Sequence, residues 1–332
     1  MKQNLKILLG ALLLTGIATA VLVSCQKYSD RPNGATKGMA KIYCDESFQN
    51  VLEQEIDVFE YQYAGAFVKP RYMSEWAALD SLLHEKVDLI ITSTDLTDKQ
   101  RTILAGQGRA YRSRMIAVDA VAIIVNKNSD VDEMSMTELK DLFTGKYRKW
   151  GQIVPTKLRN DSIKLLFDGN ASGVIHYIKN KFLGGKDFPF KVYSAKSSDD
   201  VFKTVNKYDN AIGFVGVSWV ADDMGQSEKT AEQRYSELNQ EDSQATLINF
   251  TDKVKVLKVR RDDMLQGVLP YQAYINDGSY PLFRKIFAID ASPLGTIDHS
   301  FYVFLTGTIG QKIILQTGIM PGAEPVRTVE VQ

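Results

Sequence analysis

The sequence predicts an α/β protein with largely parallel sheets, and three observations lead there. From residue 39 onward, short apolar runs alternate with stretches of helical period, the pattern in which helices cover a sheet. Runs such as VDLIITST and AIGFVGVSWV read as buried strands, the second glycine-rich where backbones approach closely. The 332-residue length exceeds the single-domain mode, so two lobes of about 100–150 residues are expected.

MAKIYC is the first strand, and FQNVLEQEIDVFEYQY follows with Phe48, Val51, Leu52, Ile56 and Phe59 on one helical face. AFVKPRYM is a strand before SEWAALDSLLHEK, whose Trp76, Leu79, Leu82 and Leu83 form another apolar stripe. The VDLIITST strand leads into TDKQRTILAGQG, a helix with a glycine stop. A longer strand, MIAVDAVAIIVN, is followed by MTELKDLFTG, IKLLFDG, a helix after Ser172, and AIGFVGVSWV. The polar stretch 221–253 reads as a surface helix and loop with solvated charges.

Lys2 and Lys6 precede an apolar run over residues 7–23, interrupted by Gly10, Thr15, Gly16 and Thr19. A charged n-region and an apolar h-region of this length fit a secretory signal over residues 1–24 better than a membrane span. Plain export would cut after Ala18 and Ala20. LVSC, however, closely resembles the lipobox of bacterial lipoproteins, which implies that Cys25 is lipidated and anchors the chain to a membrane. Residues 25–37 then form a flexible polar tether. The other cysteine, Cys44, is a small apolar strand residue with no disulfide partner.

Lys plus Arg and Asp plus Glu both number 40, so preference for an anion must come from local arrangement, and nothing marks a nucleic-acid footprint. The turn GNASG is not the Gly-x-Ser-x-Gly of a nucleophile elbow, and no phosphate loop of the Gly-Lys-Ser/Thr type occurs. His84, His176 and His299 are far apart and lack metal-ligand spacing. No catalytic set, metal site or cofactor is expected; hydrolysis of a phosphate ester is the weakest of the readings.

What remains is anion binding at helix mouths. Gly169, Asn170, Ser172 and Gly173 enter a helix, where orphan N–H groups and the macrodipole attract negative charge. Asn170 or Ser172 also suits a plain N-cap. Ser47, Ser74 and the TSTD turn ending in Asp95 recur at other helix starts, and in an open α/β sheet such turns gather at the carboxyl ends of strands.

Several segments, among them LKDLFTGKYRKWGQI, NAIGFVGVSWV, YPLFRKIFAI and FLTGTIGQKIILQTGIMP, together resemble the phosphate-binding lipoproteins of ABC-type phosphate importers. The resemblance implies a bilobal periplasmic-binding-protein fold of type II: two α/β lobes joined by two hinge segments, near 118–126 and 280–289. Lobe one would combine 38–117 with 280–332, and lobe two would span 118–279. It implies ligand contacts from Ser47, Phe48, Ser74, Asp95, Ser172 and Gly173, with Val174 where the family usually has threonine. It further implies a monomeric, extracytoplasmic, non-enzymatic protein that takes inorganic phosphate or a related small oxyanion and serves an ABC permease. The alternative is a surface or regulatory lipoprotein on the same fold, binding another small ligand or none.

One departure stands out. The family generally carries an arginine four residues before the serine, and here Asp168 stands there. A carboxylate about 5 Å from a ligand anion, at an effective dielectric near 20, repels it by about 3 kcal/mol. Either Asp168 turns away, with Asn170 supplying an amide, or the ligand is not fully ionised phosphate. Asp95, as an acceptor, favours a proton-bearing oxyanion over sulfate; Lys69 and Arg71 are candidate replacement cations.

Overall fold

The computed structural model describes residues 34–169, 172–195, 198–221, 229–238 and 250–323. Cys25 and the tether up to residue 33 lie outside the described residues, as do Asn170, 222–228 and 239–249.

Strand β1 (Lys37–Asp45) runs parallel to β2 (Gly65–Met73) on one side and to β3 (Leu89–Thr92) on the other. Helix α1 (Gln49–Gln62) follows β1 after a single 3-10 turn, Glu46–Phe48, and α2 (Glu75–Leu83) follows β2. The turn after β3 leads to α3 (Asp98–Gly106), which is started by a capping box of Thr97 and Gln100.

The chain then enters β4 (Arg112–Val125), fourteen residues long and shared by two sheets. Its first part pairs antiparallel with β11 (Phe283–Asp290), which itself lies antiparallel to β3; its second part pairs antiparallel with β8 (Ala211–Gly216). Beyond β8 come β6 (Lys164–Phe167) and β7 (Tyr193–Ser194), β6 running parallel to both. The path is therefore β2-β1-β3-β11-β4-β8-β6-β7. The sheets are mixed rather than all parallel, because the chain crosses between halves on antiparallel strands.

This topology has a geometric result. Going along β4 from the first sheet into the second follows the direction of β1–β3, whereas β6 and β8 run the opposite way. The carboxyl ends of both parallel sets thus face each other, and the turns after β1, β6 and β8 meet between them, at the end of the strands where ligands bind in open α/β sheets.

Helices cover the sheets. Around β6 and β8 lie α4 (Met136–Phe143), capped by Ser135 and Glu138, α5 (Gly173–Leu183) and α6 (Ser198–Lys207). Helix α7 (Ala231–Leu238) packs on α1; α8 (Gln272–Asn276) precedes β11; α9 (Ile297–Thr306) and α10 (Thr308–Gln316) return to β1 and α1. Short strands β5 (Glu133–Ser135) and β10 (Lys258–Arg260) pair with each other, and β9 (Lys255–Val256) and β12 (Met320–Pro321) both pair with β4.

The apolar periods account for the cores. Val51, Leu52, Ile56 and Phe59 of α1 are buried, and Phe59 meets Phe301 edge-on at 4.9 Å. In the second half Phe167 stacks on Phe214 at 5.1 Å, and Phe143 packs on Phe214 and Phe182. Trp76 departs from its expected stripe: it is 71% exposed, and α2 buries Ala78, Leu79 and Leu82 instead. The α7 segment is also less solvated than its composition suggests, since Arg234 is buried and donates to Asp57 at 3.1 Å.

Cys44 lies fully buried on β1 as a free thiol, as expected of a small apolar strand residue. Burial, with Asp45 beside it, pushes the thiol pKa well up, and a buried thiol is a poor nucleophile. In a Cys25→Ser chain, a thiol reagent should therefore label Cys44 at least about a hundredfold faster in denaturant than in buffer; equal rates would contradict this burial.

Candidate functional site

Three polar turns close on one buried arginine. At the carboxyl end of β1, Asp45 is 1% exposed and caps the 3-10 turn, its Oδ1 accepting the Ser47 amide at 3.0 Å and a short bond from the Ser47 hydroxyl. Across the cleft, at the carboxyl end of β6, Ser172 caps α5: its Oγ accepts the Ile175 amide at 3.4 Å and donates to Asp168 Oδ1 at 2.6 Å. The Gly173 amide, first of α5, donates to Asp45 Oδ1 at 3.2 Å and so joins the two sides.

Arg284 forms the floor. It pairs in register with Asp119 across the β11–β4 ladder, and its Nε and Nη2 both donate to Asp119 Oδ2, at 3.1 and 2.7 Å. Nη2 donates also to Ser47 Oγ at 2.8 Å. Asp119 Oδ1 accepts the Val217 amide, at 3.2 Å, from the turn after β8. Its two oxygens together receive three N–H bonds, so the buried pair is ionic. Two charges this deep repay desolvation only when their remaining hydrogen bonds are made. Yet Arg284 Nη1 and Asp45 Oδ2 have no partner among the described residues.

Glycine makes the close approach possible. A Cβ on Gly173 would collide with Arg284 Nη1 and lie 2.9 Å from each Asp45 oxygen, and one on Gly169 would strike Glu46 Oε1. Small residues here let side chains of the first half reach the backbone of α5.

The electrostatics are acidic. Burial pushes Asp168 up to about 6, opposed by the Ser172 hydrogen bond and Arg284 and reinforced by Asp45. Asp45 is raised by burial, against Arg284 and Ser47, with Glu75 adding to the rise; Glu46 is raised by burial, Asp168 and Asp45. Burial also raises Asp119 against its partner. For Arg284 the carboxylates Asp119 and Asp45 outweigh desolvation, so its proton is held more tightly than in ordinary arginine. Three carboxyl groups, Asp45, Asp119 and Asp168, thus bear on one guanidinium, with Glu46 beside two of them.

The structure brings together Ser47, Ser172 and Gly173 of the expected residues. Phe48 and Val174 are core side chains at the same two turns, 1% and 0% exposed. Ser74 and Asp95 sit at the carboxyl ends of β2 and β3 but spend their side chains locally. Ser74 Oγ accepts the Ala77 amide, while Asp95 takes the Ser113 hydroxyl at 2.6 Å and Arg101 Nη2 at 2.7 Å. Glu75, beside Ser74, receives the hydroxyls of Ser93 (at 2.7 Å) and Thr94.

Asp168 does not turn away: it is 5% exposed and faces the cluster. Lys69 and Arg71 are exposed, Arg71 lying over the Tyr43 ring, so neither replaces the cation. Arg284 and Asp119 were missed. Their signal is present, since FRKIFAID puts Arg284 on the face of Ile286 and Ala288 by strand alternation, and Asp119 interrupts an apolar run. Among the described residues no group of three or more His, Cys, Asp or Glu is arranged to hold a metal ion.

The phosphate-binding protein PstS of Staphylococcus aureus (strain bovine RF122 / ET3-1) is 21% identical over 256 residues, 77% of this chain and 69% of that protein. PstS of Staphylococcus saprophyticus is 22% identical over 271 residues, 81% of this chain and 75% of that protein. Among solved structures, an ABC-type phosphate transport receptor from Vibrio cholerae superposes with a TM-score of 0.59 at 17% identity, covering 86% of this chain and all of that one (100%). The high-affinity periplasmic phosphate-binding protein PfluDING, bound with phosphate, gives 0.61 at 15%, covering 85% and 90%. At these identities the structures speak for the shared bilobal fold. The PBP superfamily domain matches residues 30–300, most of the chain, and this protein belongs to that superfamily.

Proposed function

We propose that this chain is an extracytoplasmic substrate-binding protein that captures inorganic phosphate, or a closely related tetrahedral oxyanion, between its two halves and delivers it to an ABC permease without chemical change. The observation that carries the reading is the meeting of the α5 mouth with a guanidinium whose Nη1 has no acceptor among the described residues, between the turns of two facing sheets. Relatives named for phosphate binding support the choice of ligand. In this reading lobe one comprises 38–117 and 280–332, lobe two comprises 118–279, and β4 and β11 act as the hinges, closing on the ligand as paired domains do. Phe48, Ser74, Asp95, Asn170 and Val174 would line the approach or offer backbone amides.

The anchor is part of the same proposal: Cys25 carries the lipid and the segment from residue 26 up to the start of β1 at Lys37 holds a monomeric body off the membrane. Among the described residues no helix is long and apolar enough to cross a membrane.

Calorimetry on the full-length protein in detergent, stripped of bound ligand, tests the function. Phosphate is expected to bind saturably at one site and sulfate to compete poorly, because carboxyl acceptors reward a ligand that brings protons. No heat with phosphate refutes the assignment. The excess of carboxyl groups over cations at the site favours one second reading, a surface or regulatory lipoprotein for a ligand bearing its own positive charge. A thermal shift with zwitterionic or cationic small molecules but none with phosphate would support it.

A further inference from the structure

The turn that leads into α5 carries a carboxylate, Asp168, and no cation, so positive charge for an oxyanion has to come from elsewhere in the fold. Arg284 is the buried cation at this place. It is 4% exposed, it belongs to the strand between the two halves, and it is fixed on two sides, by Asp119 and by the Ser47 hydroxyl. Its third corner, Nη1, lies against the Cα of Gly173, where even a methyl group would not fit, and has no acceptor among the described residues. A guanidinium held at Nε and Nη2, with Nη1 directed at a helix N-terminus, is preorganised to donate to one acceptor at that corner.

Asp45 tells what that acceptor resembles. One of its oxygens accepts the Ser47 amide, the Ser47 hydroxyl and the Gly173 amide, while the other, Oδ2, has no partner among the described residues. The carboxylate therefore already uses the donors of both halves that an oxyanion oxygen would use. Being planar and tied to β1, it leaves Arg284 Nη1 without an acceptor among the described residues, whereas a tetrahedral ion has four oxygens to offer to such donors.

We propose that Arg284 is the specificity-determining cation of the cleft, its Nη1 taking a ligand oxygen while Asp119 and Ser47 position it, and that Asp45 is a tethered carboxylate which occupies the same amides until the ligand displaces it. This rests on the oxyanion reading above. Asp119 acts through Arg284 and is a positioning residue. Because Arg284 rides on β11, which pairs with both β3 and β4, one bound anion links the hinge strand, the β1 turn and α5, and so holds the halves together.

Phosphate titrations of the full-length protein in detergent, with thermal melting alongside, decide the matter. Arg284→Gln should weaken phosphate binding by about a hundredfold or more, and Arg284→Lys by about tenfold, since a single ammonium loses the fork that serves Asp119, Ser47 and ligand at once. Asp45→Asn should bind phosphate several-fold tighter, through removal of a competing anion. If Arg284→Gln melts below the assay temperature, the double variant Arg284→Gln with Asp119→Asn removes both buried charges and should show the same loss. Arg284 variants, single or double, that bind within threefold of wild type overturn the inference, and so does Asp45→Asn with unchanged or weaker affinity. A wild-type protein that takes up no phosphate overturns the underlying reading and this inference with it. Wild-type binding with insensitive Arg284 variants overturns this inference alone.

Discussion

Replacing Asp168 by asparagine is expected to strengthen phosphate binding about tenfold or more at pH 7.5, and the gain should shrink as the pH falls below about 6. Burial holds the Asp168 carboxyl at about 6 instead of its ordinary 3.8. At pH 7.5 it is charged, close to the Ser172 and Gly173 mouth, and opposes any anion placed there. At about 5 Å and an effective dielectric near 20 the opposition is about 3 kcal/mol, and proton sharing with the ligand returns part of it. Asparagine keeps an oxygen for the Ser172 hydroxyl and removes the charge.

Asp168 is faced by Arg284 from β11, by Asp45 from the end of β1, and by Glu46 of the next turn, all of which bear on its proton. Comparing variant with wild type at each pH cancels the ligand's own titration. A ratio that is the same at pH 5.5 and pH 7.5 would refute a cleft-facing, titrating Asp168. Stability follows the same sign: a carboxyl raised in the folded state contributes stability below its unfolded value near 3.8, and that contribution is lost as pH rises through about 6. The loss is about 3 kcal/mol, from roughly two pKa units at 1.36 kcal/mol each. Asp168→Asn should therefore also melt higher than wild type at pH 7.5 and nearly the same at pH 4.

Replacing Glu55 by methionine is expected to stabilise the fold at pH 8 by about 1–4 kcal/mol, the range seen when buried ion pairs give way to apolar groups of similar volume, taken here for a single buried carboxyl. Glu55 lies on α1 with 0% exposure, among Leu52, Ile56 and Phe59 on the buried side, and neither carboxylate oxygen has a partner among the described residues. Desolvation alone raises its pKa well above 4.5. Its favourable contribution is thus present below about pH 4.5 and lost as pH rises through the folded value, so the advantage of methionine should be small near pH 4 and largest under alkaline conditions. Chemical denaturation of both proteins at pH 4.5 and pH 8 measures this; equal stabilities at pH 8 would mean that Glu55 has a role its surroundings do not display.

The pattern of apolar residues was sufficient for the strands β1, β3, β4 and β8 and for the buried face of α1, because periods of two and of 3.6 are local properties of the chain. Trp76 shows the limit of that logic. It continues the spacing of Leu79 and Leu82, yet α2 is rotated so that Ala78 goes inward and the indole stays outside. Spacing gives the stripe, while the neighbouring sheet decides which edge of the stripe is covered.

By itself the sequence determined the α/β alternation, the serine and glycine turns at helix mouths, and the anomaly of a carboxylate at position 168, since each of these depends on residues a few positions apart. Only the tertiary structure decided where the compensating charge lies. Arg284 and Asp119 are separated by 165 residues, and what unites them is the antiparallel register of β11 on β4. Ser47 and Gly173 come together for the same reason, because two sheets of opposite direction turn their carboxyl ends toward each other and low-dielectric burial then gives the few charges between them their weight.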